Sequence, residues 1–257
     1  MIKIFGVGNS FTVDAHTWLK QICADAGIEV KLVVPFIGGW TYKRHCDKIE
    51  SGAQDYELVV DGVHTGKKVS FMEALESDDW DIVTFNQGSV QAGRPFTYFP
   101  YLNILKDLVL KHSPNAKLFT YQTWSYESDA EHPYFPVYNS SQKEMHTRTR
   151  DSYKLASRLI DAPIIPVGDV IQELRENVAE FDYKNGGMSL NRDGYHLSEI
   201  YGRYAAGITF YYTIFGAERD NSFFPMLDSK ETDNGIIEKI KDLAFEIVNR
   251  PSEVDDD

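Results

Sequence analysis

Apolar positions along the chain follow two periods that alternate. Short runs at residues 2–7 (IKIFGV), 29–36 (EVKLVVPF), 80–85 (WDIVTF), 116–123 (AKLFTYQT) and 163–167 (PIIPV) are dense in β-branched and aromatic residues and predict strands. Between them, apolar residues recur three and four apart, the spacing of one helix face. Ala15, Leu19, Ile22, Cys23 and Ala26 predict a helix over 13–26 that stops at Gly27. Further helices are predicted over 41–49, from Pro100 through Leu105, Leu108 and Val109, and over 141–160, 169–179, 197–215 and 235–248. Asp169, three residues before Gln172, has the form of a capping box at the start of its helix. All of these stripes read as core faces rather than binding faces.

Strand and helix in alternation are the pattern of a parallel sheet covered on both faces, here an α/β fold with about five strands. One stretch breaks the alternation. Residues 56–60 and 63–70, joined by Asp61-Gly62, read as a β-hairpin inserted at about 55–71 between the second and third strands, with a short helix at 71–75 after it. No repeat or linker divides the chain, so residues 1–250 are expected to form one α/β domain. The acidic residues 251–257 are expected to be a disordered tail.

The 257 residues carry a net charge of −13, which argues against nucleic acid, anionic membrane surfaces and polyanionic substrates as partners. Cys23 and Cys46 lack metal-like spacing and fit a reducing compartment. With no apolar run approaching a membrane span, and Met1 leading straight into the first strand, a cytoplasmic protein is expected. His16, His45, His64, His112, His132 and His146 show no ligand spacing and read as surface or helix-face residues, so no metal or other cofactor is expected. The 15 Tyr, 15 Phe and 4 Trp read first as core and second as a sugar-stacking surface.

Ligands of open α/β sheets bind beyond the carboxyl ends of the strands, so the polar residues there are the ones with chemistry to offer. The first strand delivers Asn9 and Ser10; the second, Gly38 and Gly39; the third, Asn86, Gln87, Gly88 and Ser89; the fourth, Trp124 and Ser125. The loop before the predicted 197–215 helix adds Asp193 and His196. A hydroxyl, backbone-exposing glycines, side-chain amides, an acid and an imidazole thus gather at one rim. Each has a plain alternative as a turn, cap or packing residue, and the convergence is what favours an enzyme.

On these residues the chain resembles the SGNH (GDSL-type) hydrolase superfamily. Gly8-Asn9-Ser10-Phe11-Thr12 is similar to its Gly-Asp-Ser nucleophile block, with Asn9 where Asp is more usual. Gly39-Trp40-Thr41 resembles the second block, and Asp193-Gly194-Tyr195-His196-Leu197-Ser198 the last. The pairing of a GNSF first block with a DGxHLS last block resembles one bacterial branch of the superfamily. The resemblance implies a three-layer α/β/α sandwich of flavodoxin-like type and a serine esterase working through Ser10, His196 and Asp193. It also implies an oxyanion hole from Ser10, Gly39 and a side-chain amide. The family's third block is altered to Phe85-Asn86-Gln87-Gly88-Ser89, which makes Gln87 the expected amide and Asn86 the reserve. Small acyl esters, particularly O-acetyl groups on carbohydrates, are the implied substrates, with Trp40, Trp124 and Tyr126 as candidate contacts. Two rivals are a non-catalytic carbohydrate-binding protein on the same fold and a dinucleotide site. For the latter, Gly6-Val7-Gly8-Asn9-Ser10-Phe11 resembles the start of GxGxxG and Glu29 could pose as the ribose acid, but Phe11 stands where a small residue is wanted.

Overall fold

Seven strands form one sheet in the order β4-β3-β2-β1-β5-β6-β7 in this computed structural model, which describes residues 1–216, 218, 220–227 and 232–250. The strands are β1 (Ile2–Val7), β2 (Val30–Phe36), β3 (Tyr56–Val60), β4 (Val63–Val69), β5 (Ile82–Phe85), β6 (Lys117–Tyr121) and β7 (Ile164–Ile165). β2, β1, β5, β6 and β7 run parallel, as the five predicted strands require, in the order of a flavodoxin-like sheet. The hairpin supplies the other two: β3 pairs antiparallel with β2 and β4 with β3. The sheet therefore has seven strands rather than about five. The hairpin turns at Asp61 (φ 52°) and Gly62 (φ 78°), the conformation of a tight two-residue connection. β4, the new edge, is exposed over most of its length and carries Lys67 and Lys68, which discourage pairing with another chain.

Ten α-helices cover the two faces of the sheet among the described residues: α1 (Ser10–His16), α2 (Leu19–Asp25), α3 (Tyr42–Ser51), α4 (Phe71–Leu75), α5 (Ser89–Ala92), α6 (Tyr101–His112), α7 (Gln142–Ile160), α8 (Val167–Asn177), α9 (Tyr201–Phe215) and α10 (Asn234–Asn249). The period-two alternation of the strands sorts their side chains between two cores. Ile4, Leu32 and Ile82 join α1, α2, α8, α9 and α10 on one face. Phe5, Val33, Val83 and Phe85 join α3, α4, α6 and the C-terminal half of α7 on the other. Cys23 and Cys46 are free and buried in opposite cores. No helix among the described residues is long and apolar enough to cross a membrane.

Four boundaries depart from the periodicity, each for a local reason. The helix predicted over 13–26 starts three residues early and is two helices: the Thr17 hydroxyl bonds back to Val13 O at 3.0 Å, and Trp18 swings out to donate to Glu199 O. α8 starts at Val167 without the predicted capping box, because Asp169 accepts from Gln122 Nε2 (2.8 Å) and His146 Nε2 (2.7 Å) instead. The fifth strand shrinks to Ile164–Ile165 between Pro163 and Pro166, which have no N–H to donate. Residues 197–200 stay outside α9, held by the contacts described below. The tail expected to be disordered at 251–257 lies outside the described residues.

Candidate active site

The sheet order reverses between β1 and β5, and the turn leaving β1 opens into that crevice. Asn9 is extended (φ −150°) and caps α1: its Oδ1 accepts from Phe11 N at 3.0 Å, while Thr12 Oγ1 accepts from Asn9 N at 3.3 Å. The other end of the Asn9 amide, Nδ2, donates to Trp40 O at 3.0 Å. An aspartate could cap the helix but has no hydrogen for that carbonyl, so the departure from Gly-Asp-Ser has a structural reason. Gly8 allows the turn its closeness: a Cβ there would lie 1.8 Å from Asn86 Oδ1 and 2.2 Å from Thr12 Oγ1. Ser10 follows as the first residue of α1, where the backbone N–H has no intrahelical partner.

Ser10 Oγ lies 2.9 Å from His196 Nε2, and His196 Nδ1 lies 2.7 Å from Asp193 Oδ2. The carboxylate accepts, so Nδ1 carries the proton and Nε2 of the neutral ring is left to accept from the serine hydroxyl. Asp193 Oδ1 also accepts from the backbone N–H groups of His196 (2.7 Å) and Tyr195 (3.1 Å), which fixes the carboxylate in the loop. Partial burial works to raise the Asp193 pKa, but the His196 ring and these two N–H groups outweigh it and hold the carboxyl below its usual range. A hydroxyl, an imidazole and a carboxylate in line can pass a proton from oxygen to nitrogen and stabilise the imidazolium that forms.

What brings residues 186 positions apart together is a buried ionic clamp that the sequence did not announce. Asp14, on the turn of α1 after Ser10 and almost wholly buried, accepts from Arg192 Nη1 (3.0 Å), Arg203 Nε (2.8 Å) and Leu197 N (2.9 Å). Arg192 and Leu197 flank Asp193 and His196, and Arg203 sits in the first turn of α9. Arg192 Nη1 also donates to Leu197 O, closing the loop on itself. From the other side, His45 Nε2 meets Gly8 O at 2.9 Å and its Nδ1 meets Tyr56 OH at 3.0 Å. His16 and His45 lie on helix faces, one of the two placements expected, and both are buried because α1 and α3 turn these faces inward. Among the described residues, no three His, Cys, Asp or Glu side chains are grouped to hold a metal ion.

The expected amides are placed differently from Ser10 and His196. Gln87 is fully buried; its Oε1 accepts from Tyr42 N (2.9 Å) and Gly88 N (3.0 Å), and its Nε2 donates to Thr97 O and Thr97 Oγ1. It is a brace between the loops after β2 and β5, with its amide hydrogens already used. Asn86 Oδ1 accepts from Thr12 Oγ1, and its Nδ2 makes two long 3.4 Å contacts to Asn9 Oδ1 and Gln87 O. Gly39, in the loop after β2, is exposed and has φ 66°, the conformation a side chain would strain.

Of the three aromatic candidates, two have no surface to offer a sugar. Trp124 is fully buried, stacked on Phe11 at 4.2 Å, with its Nε1 donating to Tyr195 O. Tyr126 is fully buried, and its hydroxyl shares a 2.8 Å hydrogen bond with Ser89. Both act beneath the site, against the loops that carry His196 and Gln87. Trp40 is half-buried beneath Arg44, whose guanidinium lies 5.3 Å from the ring centre. Beside the site a cavity of about 570 Å³ is lined by Gly39, Arg44, Gln87, Phe96, His132 and Tyr134, among others. On one side its lining residue Gly39 precedes Trp40, whose carbonyl accepts from Asn9, the neighbour of Ser10. On the other side, His132 packs edge-on against Tyr195, whose own ring lies 4.5 Å from His196.

The profile of a family described as "Domain of unknown function (DUF4886)" matches residues 3–238. A crystal structure of a DUF4886 family protein from Bacteroides uniformis superposes with a TM-score of 0.87 at 29% identity, covering 98% of this chain and 96% of that one. A proposed SGNH hydrolase from Slackia heliotrinireducens gives 0.56 at 20% identity, with 83% and 98% covered. A variant of an acetyl-xylooligosaccharide esterase from Geobacillus gives 0.50 at 13% identity, with 84% and 95% covered. The likeness to the Slackia protein shows that the fold is SGNH-hydrolase-like. None of the curated proteins compared matches this sequence.

Proposed function

This chain belongs to the DUF4886 family, and we propose that it is a serine esterase which hydrolyses small acyl esters, O-acetyl groups on carbohydrates among them. The observation that carries the reading is the run of hydrogen bonds from Ser10 through His196 to Asp193 at 2.9 and 2.7 Å. The fold shared with an SGNH hydrolase and an acetyl-xylooligosaccharide esterase supports it.

In the proposed reaction, Ser10 Oγ forms a bond to the ester carbonyl carbon as His196 Nε2 takes the hydroxyl proton. The ester C–O bond then breaks and the imidazolium returns that proton to the departing alcohol. Water repeats the sequence on the acyl-enzyme: His196 takes a water proton, the oxygen attacks, and the proton goes back to Ser10 as the carboxylic acid leaves. Asp193 holds the imidazole in the tautomer this requires. Backbone N–H groups of Ser10 and Gly39 are the proposed donors to the oxyanion, with the reserve amide Asn86, whose Nδ2 makes only 3.4 Å contacts, in place of Gln87, whose amide is engaged elsewhere. One such donor is commonly worth about a hundred- to a thousandfold in turnover.

A panel of p-nitrophenyl esters from acetate to octanoate, run with the unaltered chain and with Ser10→Ala, tests the reading. The short esters are expected to be hydrolysed and the Ser10→Ala chain to lose at least about a thousandfold while folding normally. Equal turnover by the two chains contradicts it. Folded protein with no activity on any ester favours the carbohydrate-binding alternative.

A further inference from the structure

The cavity beside the site has no carboxylate in its lining, whereas three other cavities of this acidic chain do, although Lys143, Arg175 and Lys184 offset the acids in one of them. Three other cavities, of about 670, 340 and 470 Å³, are each lined by at least two carboxylates, among them Glu176 and Asp182, Asp129 and Glu131, and Asp79 and Asp81. The 570 Å³ cavity has none in its lining, but has Lys43 and Arg44. In a chain of net charge −13 that is a marked local reversal. Lys43 is neutralised by Asp47 at 2.6 Å. Arg44 has no carboxylate partner among the described residues: it is exposed, and its contact is the face of Trp40. A guanidinium held against an aromatic ring keeps N–H donors available to a carboxylate. In the same lining Phe96 and Tyr134 are 69% and 50% exposed, the one with Arg94 against its ring and the other beside His132, in a place where solvent would ordinarily select polar side chains. Arg94 lies 5.0 Å from the Phe96 ring and, among the described residues, also lacks a carboxylate partner.

We propose that this cavity binds the alcohol part of the ester and that this part is a sugar acid: a ring that packs on Phe96 and Tyr134 and a single carboxylate that pairs with Arg44. The inference rests on the esterase reading, in which the acyl group is small and the cavity is left for the alcohol. A volume of about 570 Å³ lies within the range of small-molecule sites. One negative charge is what such a rim can select. The field of the whole molecule still repels a polyanion, whereas a short charge-assisted pair at Arg44 acts locally.

The test compares kcat/KM for a monoacetylated methyl glucuronoside and the matching monoacetylated methyl glucoside, which differ by one carboxylate. p-Nitrophenyl acetate reports the underlying esterase activity. The unaltered chain is expected to favour the glucuronoside about tenfold, and Arg44→Gln and Arg44→Lys to bring the ratio down, Gln close to one, through KM for the acid. With p-nitrophenyl acetate hydrolysed, a ratio of one or below in the unaltered chain overturns the inference and leaves the esterase reading standing. A preference that survives Arg44→Gln overturns it too. Absence of hydrolysis of p-nitrophenyl acetate and both glycosides removes the esterase reading and this inference with it.

Discussion

At the scale of single residues, the site depends on side chains that use both of their ends. Asn9 caps α1 with its oxygen and holds the Trp40 carbonyl with its nitrogen. Gln87 accepts from two backbone N–H groups and donates to Thr97. Sequence patterns record such residues as turn or oxyanion candidates, because what distinguishes the roles is the partner across space. That is why Ser10, Asp193 and His196 were legible from order and residue type, while the work of Gln87, Trp124 and Tyr126 was not. The Asn9 geometry yields a prediction that runs against the commoner Gly-Asp-Ser form. Asn9→Asp sets a carboxylate against the Trp40 carbonyl in a site 2% exposed, and should destabilise the fold by about 1–3 kcal/mol. Chemical unfolding measures this; an unchanged midpoint would show that the Trp40 contact contributes nothing.

At the scale of elements, the early start of α1 matters most. Beginning at Ser10 rather than 13, the helix presents Ser10 and Asp14 one turn apart, so the hydroxyl and the anchor for the His196 loop share one rigid unit. Apolar periodicity could not find this start, since the first turn is set by the Asn9 and Thr12 caps. Nor did it mark Asp14, a lone acid among apolar neighbours whose partners lie about 180 residues away. Asp14 is a positioning residue, and Asp14→Asn is expected to lower kcat ten- to a hundredfold with KM for small esters changed less than about threefold. A purely structural role would lower the amount of folded enzyme and leave kcat per folded site unchanged. Active-site titration separates the two. The unfolding temperature should fall in either case, because two guanidinium groups lose their buried counter-charge.

At the scale of the whole molecule, a parallel sheet of five strands with helices on both faces followed from alternating periods and its flavodoxin-like order from the family resemblance, while the seven-strand width followed from neither. The hairpin was visible in the sequence, but its edge-to-edge pairing with β2 is a tertiary event that no local pattern encodes. Burial also sets how the fold responds to acid. His16 and His45 are both pulled down to about 4 by burial, opposed only weakly by Asp61 at His16 and by the Gly8 carbonyl at His45. In the unfolded chain a histidine titrates near 6.5, so between about 6.5 and 4 the unfolded state takes up protons that the folded state refuses. The stability these neutral rings contribute is fully present above about pH 6.5 and is lost as pH falls toward 4, by roughly 3 kcal/mol for each ring. Unfolding midpoints measured at pH 7.5, 5.5 and 4.5 should fall in that order, and His16→Phe should flatten the decline. A midpoint independent of pH over that range contradicts the burial of both rings.

The central claim is that Ser10 is the nucleophile. Peptide mapping by mass spectrometry after treatment with a fluorophosphonate reads it directly. The account predicts one adduct, on Ser10, that disappears in His196→Ala although Ser10 is still present. A chain that hydrolyses esters yet carries no adduct, or carries it on another residue, would contradict it.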